Sequence, residues 1–277
     1  MDQPAAQLEQ VIRLGLFFGL FIAFAAAEYF WPRKTLTRAR PSRWVPNLTI
    51  TIGNTILLRL IFIAIGTSAV GFAALVHTWQ WGLLHLLSLP SWAGLVIGFL
   101  VLDVAIWAQH VLFHRVPLFW RLHRMHHTDV NIDITTGLRF HPLEIILSMG
   151  IKFAVIAAIG VDPRAVLVFE IVLNATSMFN HANMALPIWM DRWLRMIVVT
   201  PDMHRVHHSS HAHEFNSNFG FNLPWWDRLF GTYRDQPQDG HDGMTIGLPI
   251  YRSEGWQRLP GLLKTPFVDD AVEGDAP

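Results

Sequence analysis

The sequence predicts an all-α protein, a bundle of helices that spans a membrane several times. Hydrophobic residues fill 52% of its 277 positions and charged residues only 15%, whereas an ordinary soluble domain carries about 25% charged residues. The mean hydropathy is +0.31. The apolar residues gather into runs of about 20, the length that crosses a bilayer core of about 30 Å. Low charge and long apolar runs together predict membrane helices.

Composition also excludes several kinds of partner and site. The formal net charge is zero, so nothing indicates an electrostatic partner such as nucleic acid. The chain has no cysteine. Disulfides, thiolate metal sites, a cysteine nucleophile and a cysteine-ligated iron–sulfur cluster of its own are therefore excluded.

Five apolar segments are predicted to be helical. Basic residues follow the first segment instead of preceding it, so we expect a retained helix and not a cleaved signal peptide. The turn GVDPR separates the last two, which predicts a helical hairpin that dips into or crosses the membrane. The segments are residues 11–31, 48–76, 93–113, 143–160 and 164–180.

A basic loop, RKTLTRARPSR at 33–43, sets the expected orientation. Loops rich in lysine and arginine stay in the cytoplasm. Counting crossings from this loop brings the chain back to the cytoplasmic side after segment 93–113 and again after segment 164–180. The polar stretches that follow these two segments are therefore expected on one face of the membrane.

Three histidine motifs fall on that face. HVLFH supplies His110 and His114, and the pattern H-x-x-H-H occurs twice, at 123–127 and at 204–208. Residues three and four apart lie on one side of a helix, so each H-x-x-H-H directs three imidazoles the same way. Neutral imidazole binds iron, zinc and copper well. We expect a cytoplasmic helical cap that carries a histidine-rich dimetal site, each copy of H-x-x-H-H supplying one half-site.

Histidine motifs also occur without any bound metal. A single H-x-x-x-H on an apolar helix is usually chance or polar bonding within a core, and histidine clusters also bind protons. Eight histidines in three spaced motifs on one face argue against both. His211 and His213 are expected at the surface. His77 and His85 lie on the opposite side beside tryptophans, where interfacial residues are expected.

In this order, the three motifs resemble the fatty acid hydroxylase/sterol desaturase superfamily of integral-membrane di-iron enzymes. RFHPLE after the second motif and NFGFNLPWWDRLFGTYR after the third extend the resemblance over roughly residues 95–236. The resemblance implies two metal ions, natively iron, on the cytoplasmic side. It also implies hydroxylation or desaturation of a lipid C–H bond with O2 and electrons. Zinc is the expected substitute ion, because histidine does not exclude it.

The resemblance also implies a set of metal ligands. His181 matches the isolated histidine that precedes the last motif in the family. Some members have a second histidine nearby, where this chain has Asn180 and Asn183, so one position is open, filled by water or completed by His141. The implied ligands are His110, His114, His123, His126, His127, His181, His204, His207 and His208, and all of these except His181 are the implied catalytic residues.

One acidic residue is expected to orient a ligand. Asp103 lies seven residues before His110 and eleven before His114, so the three share a helical face. An acid within an apolar segment is costly and usually functional or paired, and metal-bound histidines commonly donate their other N–H to a carboxylate. Glu144 and Asp227 are weaker candidates for this role, and Asp227 is expected to anchor the local fold.

The implied organisation has three parts: N-terminal membrane helices at 1–92, a fatty acid hydroxylase-like catalytic region at 93–236, and a C-terminal loop and tail at 237–277. The acidic end of the tail is predicted to be disordered. The chain has neither G-x-G-x-x-G nor a cysteine cluster, so a separate protein is expected to donate electrons for lipid oxidation. The alternative function is that of a histidine-rich membrane metal transporter or metal-binding protein. A transporter site belongs near the bilayer midplane, whereas these histidines fall at segment ends.

Overall fold

The computed structural model describes residues 3–269, and the regular structure in that range is helical, as predicted. Two isolated β-bridges, Pro32–Met184 and Ser209–Ile246, are its only extended pairings. The seven longer helices are α1 (Gln3–Phe30), α2 (Arg40–Ile65), α3 (Ala69–Thr78), α4 (Ser91–Arg115), α5 (Pro117–His127), α6 (Pro142–Ile159) and α7 (Pro163–His181). The short helices are α8 (Ile188–Leu194), α9 (Pro201–His207), α10 (Ala212–Phe215), α11 (Trp225–Leu229), α12 (Gly240–Gly243), α13 (Glu254–Gln257) and α14 (Leu259–Lys264), and single 3₁₀ turns occur at Leu83–Leu86, Thr136–Leu138 and Thr265–Phe267.

Four stretches of the described chain are long and apolar enough to cross a membrane, which confirms an integral membrane protein. They are Gln7–Phe30, Arg40–Leu86, Ser91–Arg115 and Pro142–Ile159. The predicted hairpin is formed by α6 and α7. Helix α7 is not among the four stretches, and it lies inside the bundle, in contact with α1, α3, α4 and α9.

The second predicted span is not one continuous helix. Helix α2 ends at Ile65 and is followed by Gly66, whose φ of 76° is left-handed, a conformation that glycine adopts without strain. Ser68 then caps α3, its Oγ accepting a hydrogen bond from Gly71 N at 3.2 Å. Apolar residues continue on both sides of this break, so hydropathy alone predicts one segment where the structure has two helices.

The main apolar core lies in the half of the bundle away from the histidine motifs. Residues of α3, α4, α6 and α7 meet there, among them Ala73, Leu102, Ile156 and Phe169. The turn between α6 and α7 closes this end. Gly160 in that turn lies against the 3₁₀ turn that contains His85, so His77 and His85 are at the end opposite the histidine motifs, as predicted.

A buried ionic network ties the loop between α5 and α6 to the start of α2. Arg43 donates from Nε and Nη2 to the two oxygens of Asp129, both at 2.9 Å, and also pairs with Asp133. Burial alone would raise the pKa of Asp129, but the charges of Arg43 and Arg139 outweigh that effect and hold it well below its usual range. Arg43 belongs to the basic loop, so that loop lies at the same end as the histidines.

The region after residue 237 packs onto α5. Arg124 of α5 donates to Thr265 O at 2.7 Å, and Gln257 donates to Thr128 O at 2.7 Å. Arg121 of α5 also donates to Val268 O at 2.9 Å, so the chain is held against α5 almost to the last described residue. The predicted disordered tail lies almost entirely outside the described residues.

Candidate metal centre

Nine histidines converge where α4, α5, α7 and α9 meet, and they are the nine implied by the resemblance. They form two groups, within each of which one nitrogen per residue lies within 4.8 Å of all the others. The first group contains His110, His114, His123, His127 and His207. The second group contains His126, His181, His204 and His208.

Each copy of H-x-x-H-H divides between the two groups, so the expectation of one half-site per copy is wrong. His123 and His127 join the first group while His126 joins the second. In the other copy His204 and His208 join the second group and His207 joins the first. Helix geometry explains the division, because positions i and i+4 differ by about 40° of rotation whereas i+3 lies about 60° to the other side. Each motif is therefore a bridge between two half-sites.

The helices that carry these motifs begin at defined positions. Pro117, Pro163 and Pro201 occupy the first turns of α5, α7 and α9, where a missing backbone N–H costs nothing. Thr200 caps α9 by accepting from Met203 N at 3.4 Å. These starts fix the rotational setting of each histidine motif relative to the bundle.

Oxygen acceptors fix the tautomer of five histidines. His110 Nδ1 lies 2.7 Å from Phe219 O, His207 Nδ1 2.7 Å from Ser217 O, and His123 Nδ1 2.6 Å from Glu144 Oε1. In the second group the pairs are His126 with Arg139 O at 3.2 Å and His181 with Ser177 O at 2.7 Å. An oxygen acceptor at Nδ1 requires the proton there, which leaves a lone pair on Nε2.

Four of those Nε2 atoms face one another. The Nε2 atoms of His110 and His123 are 3.0 Å apart, and those of His181 and His126 are 3.1 Å apart. His204 Nε2 also lies 3.1 Å from His181 Nε2, but no oxygen acceptor fixes the tautomer of His204. Two acceptors at this separation repel unless a cation lies between them. Nitrogens bound at about 2.1 Å to one ion, at right angles, lie about 3.0 Å apart. The donor set therefore fits metal ions.

The other four imidazoles are not fully satisfied by hydrogen bonds. His114, His127, His204 and His208 each have at least one buried ring nitrogen with no hydrogen-bond partner among the described residues. Burial, and next the charges of neighbouring histidines, lowers the pKa of His127 and His208 well below 6.5. The same causes act on His126 and His204. Neutral imidazole is the form that binds a metal.

The expected role of Asp103 is wrong, and Glu144 holds that position instead. Asp103 Oδ2 accepts from Trp226 Nε1 at 2.7 Å, and no hydrogen bond joins Asp103 to any of the nine histidines. It shares a helical face with His110, but seven residues of helix separate the two by about 10 Å along the axis. Glu144, in the first turn of α6, reaches His123 directly.

Asp227 anchors the local fold, as expected. Its carboxylate accepts from Phe219 N at 2.9 Å, Gly220 N at 2.8 Å and Trp107 Nε1 at 3.0 Å. Phe219 is the residue whose carbonyl faces His110. Asp227 thus positions His110 through the backbone of Phe219.

Of the alternatives for the position near His181, completion by His141 is wrong. His141 is absent from both groups, because its Nδ1 accepts from Leu143 N at 3.2 Å and caps α6. The Nδ2 of Asn180 donates to Phe221 O at 3.0 Å, and a contribution of Asn180 to the metal site stays a prediction. Of the two histidines, His141 and His181, His181 alone enters the second group.

The two copies share features that the sequence motif did not explain. The arginine at the second position points away from the ring cluster, Arg124 towards the C-terminal region and Arg205 towards Asp202. The last histidine of each copy accepts a backbone hydrogen bond from the segment 247–248. Gly247 N donates to His208 O, and Leu248 N donates to His127 O. His211 pairs with Asp239 at 2.8 Å near the surface, and His213 is exposed, as expected.

A cavity of about 940 Å³ lies between α1, α2, α4, α6 and α7 and reaches the first group. His110, His123 and Glu144 line it at one end, and Arg13, Lys152 and Glu170 line it farther along α1, α6 and α7. Most of its wall is apolar and comes from α2, α4 and α6. The volume falls in the range of pockets that hold small organic ligands.

Comparisons with known proteins agree with this architecture. A family model described as fatty acid hydroxylase matches residues 95–232. The ornithine lipid hydroxylase OlsE of Rhizobium tropici is 27% identical over 164 residues, which is 58% of this chain and 46% of that protein. The alkylglycerol monooxygenase of Xenopus tropicalis is 28% identical over 185 residues, 65% of this chain and 40% of that protein.

A third relative, the cholesterol 25-hydroxylase of Rattus norvegicus, is 27% identical over 143 residues, 51% of this chain and 47% of that protein. The matches span less than half the length of each of these three relatives. No solved structure matches the chain significantly.

Proposed function

Because this chain belongs to the fatty acid hydroxylase/sterol desaturase superfamily, we propose that it is a membrane oxidoreductase that hydroxylates or desaturates a lipid C–H bond with O2. The observation that carries the proposal is the convergence of nine histidines, eight buried and one half-buried, in two groups beside a largely apolar cavity. The facing Nε2 lone pairs of His110 with His123 and of His126 with His181 call for cations, and the cavity would admit a lipid chain to His110 and His123.

Two iron ions would be held by the two groups, with zinc as a substitute. When bound, iron supplies the redox chemistry by which O2 attacks an unactivated C–H bond. For hydroxylation the balance is R–H + O2 + 2e⁻ + 2H⁺ → R–OH + H2O. The chain itself offers no redox group for the electrons, which come from a separate donor protein.

The protein's own residues orient and protect the site. Glu144 and the carbonyls of Phe219, Ser217, Arg139 and Ser177 each hold one imidazole in the Nδ1–H tautomer. Phe113, Phe140 and Phe221 line the cavity beside His110 and His123 and would limit the access of bulk water to them. Glu144 also stabilises positive charge that His123 acquires when a metal binds, because charge-assisted hydrogen bonds are the stronger kind.

We place the histidine end of the bundle on the cytoplasmic side. The basic loop 33–43 lies at this end, where Lys34 N donates to Asn183 Oδ1 at 3.0 Å and Arg43 is bound to Asp129. Lysine- and arginine-rich loops remain in the cytoplasm. A soluble electron donor in that compartment would have direct access to the cap.

Metal transport fits the arrangement less well. A transported ion is expected near the bilayer midplane on broken helices. Here the histidines lie at the last turns of α4 and α7 and on α5 and α9, at the ends of the spans or outside them. The two histidine groups are moreover enclosed, with all nine residues buried or half-buried.

Lipid mass spectrometry tests the proposal directly. Lipids from cells that express the chain should contain a species heavier by one oxygen atom, or lighter by two hydrogen atoms, than in cells without it. His126→Ala should abolish that product, and the control His77→Ala, at the far end of the bundle, should retain it. Loss of the product in both variants, or its absence with the unaltered chain, would contradict the proposal.

A further inference from the structure

Among the described residues that line the cavity, three buried side-chain oxygen atoms have no hydrogen-bond donor: Asn54 Oδ1, Glu144 Oε2 and Gln109 Oε1. Asn54 Nδ2 donates to Phe140 O at 2.8 Å, which assigns the amide orientation and leaves Asn54 Oδ1 without a partner. Glu144 Oε1 faces His123, and Glu144 Oε2 has no partner. Asn54 and Glu144 both line the cavity and are buried, at 6% and 3% exposure.

Gln109 lies one residue before His110 on α4, and its Nε2 donates to Ser148 Oγ at 2.6 Å. The residue is half-buried, whereas Asn54 and Glu144 are buried.

The free oxygens of Asn54 and Glu144 lie at the histidine end of the cavity. Phe140, which accepts from Asn54, stacks on the His126 ring with centroids 4.6 Å apart. Glu144 contacts His123, which itself lines the cavity beside His110. A buried acceptor left unpaired is costly, and native structures pair nearly all of them.

We propose that Asn54 and Glu144 recognise a lipid headgroup that donates hydrogen bonds through hydroxyl or amine groups, and that this contact presents the C–H bonds next to the headgroup to the histidine centre. The inference rests on the proposed function and names the substrate class for it. A headgroup that only accepts hydrogen bonds would leave both oxygens unpaired, which is the basis of strong discrimination between analogues.

The remainder of the cavity suits the hydrocarbon chain. Its wall there includes Leu58, Phe62, Ile106, Met149 and Leu173. Farther along, Glu170 binds both Arg13 at 3.0 Å and Lys152 at 2.9 Å. The other charged lining residue, Arg59, is exposed and can only donate hydrogen bonds. Lys152 is eight residues beyond Glu144 on α6, about 12 Å away along the helix. The free acceptors are therefore at the histidine end, and the headgroup belongs there.

The test compares two lipids that differ only in their ability to donate. The probes are 1-O-hexadecylglycerol, which has two hydroxyls, and its 2,3-di-O-methyl ether, which has none. The full chain, iron-loaded and reconstituted in nanodiscs with a chemical electron donor, is assayed for kcat/KM with each probe. We expect the unaltered protein to prefer the diol by at least about tenfold.

Asn54→Leu should lower that preference by about 3- to 10-fold, the effect of one neutral hydrogen bond. A general disturbance of the fold would lower kcat/KM for both lipids and leave their ratio unchanged. The matched control is Asn216→Leu, at an asparagine after α10 that does not line the cavity and whose Nδ2 donates to Ala212 O at 2.8 Å, and it should keep the ratio of the unaltered protein.

Two results would overturn the inference. One is equal oxidation of both lipids by the unaltered protein. The other is an unchanged ratio of kcat/KM for the two lipids in Asn54→Leu, which would mean that water binds the free oxygens of Asn54 and Glu144. If neither lipid is oxidised, the result contradicts the proposed function and does not test headgroup recognition. In that case, headgroup recognition is tested by measuring the equilibrium binding of each lipid to the zinc-loaded protein. Tighter binding of the diol, reduced in Asn54→Leu, supports it, and equal binding of the two lipids refutes it.

Discussion

At the scale of single residues, the sequence predicts which histidines meet but not what orients them. The spacing of His123, His126 and His127 is visible in the chain, and so is that of the second copy. Four of the five groups that face an Nδ1 are backbone carbonyls, such as Phe219 O and Arg139 O. Every residue has a carbonyl, so sequence carries no signal for this role.

Whether Glu144 or Asp103 is the carboxylate that orients a histidine of the cluster can be tested directly. Glu144→Gln should lower metal affinity by about 10- to 100-fold, the usual cost of weakening a partner of a ligand histidine, because a neutral amide is a weaker acceptor for His123 Nδ1. Asp103→Asn is the matched control and should leave affinity unchanged, since Asp103 bonds to Trp226. Competition with a chelator measures both. A larger effect in Asp103→Asn than in Glu144→Gln would favour Asp103 as the carboxylate that orients a ligand.

At the scale of helices, the predicted hairpin and the third span are confirmed as α6 with α7 and as α4. The break within the second span could not be predicted, because one left-handed glycine at Gly66 ends α2 without any loss of apolar character on either side. The division of each H-x-x-H-H between two groups was also missed. Three histidines on one turn differ in direction by up to about 100°, and only the positions of the neighbouring helices decide which group each one joins.

One close approach between elements is needed by the second histidine group. A Cβ on Gly137 would lie 2.5 Å from Ser177 O and 3.0 Å from His181 Nδ1, the two atoms that bond to each other. Gly137→Ala should therefore displace His181 and weaken binding of one of the two ions.

The matched control for this substitution is Gly150→Ala, where a Cβ meets nothing within 4 Å. Metal analysis after dialysis against a weak chelator should show loss from Gly137→Ala and none from Gly150→Ala. Full metal retention in Gly137→Ala would contradict this prediction. It would mean that the end of α7 moves to make room for the Cβ and that the second group still binds its ion.

At the scale of the whole molecule, composition and the basic loop predict a membrane bundle with its histidines at one end, and the structure has that arrangement. Compaction of the C-terminal region on α5 was not visible in the sequence. It depends on polar contacts such as Gln257 with Thr128 O, and such long-range contacts leave no periodic pattern.

The buried histidines should make the metal-free protein sensitive to acid. Burial, and next the charges of neighbouring histidines, lowers the pKa of His127, His204 and His208 in the folded state, whereas the unfolded chain titrates at about 6.5. Below that pH the unfolded state binds more protons, so the free energy of unfolding falls as pH falls. Above about pH 6.5 these histidines are neutral in both states, so they do not change the free energy of unfolding.

Thermal unfolding of the chelator-treated protein in detergent measures this dependence. The Tm should be level from about pH 8 to about pH 7 and should fall progressively below about 6.5. Carboxylates titrate at lower pH, near about 4. A Tm that begins to fall only near that pH would therefore contradict a contribution of the histidines to the acid sensitivity.

The most direct test of the central claim is a count of metal ions per chain in paired variants, by elemental mass spectrometry of the purified protein. The account predicts two ions in the unaltered chain, each held by one histidine group. His123→Ala with His207→Ala removes two ligands from the same group and should leave one ion. His123→Ala with His126→Ala removes one from each group and should weaken both sites, leaving fewer than one. The claim is that each repeated motif contributes histidines to both half-sites. It would be contradicted if the variant altered in both groups kept more metal than the variant altered in one group, or if the unaltered chain held one ion.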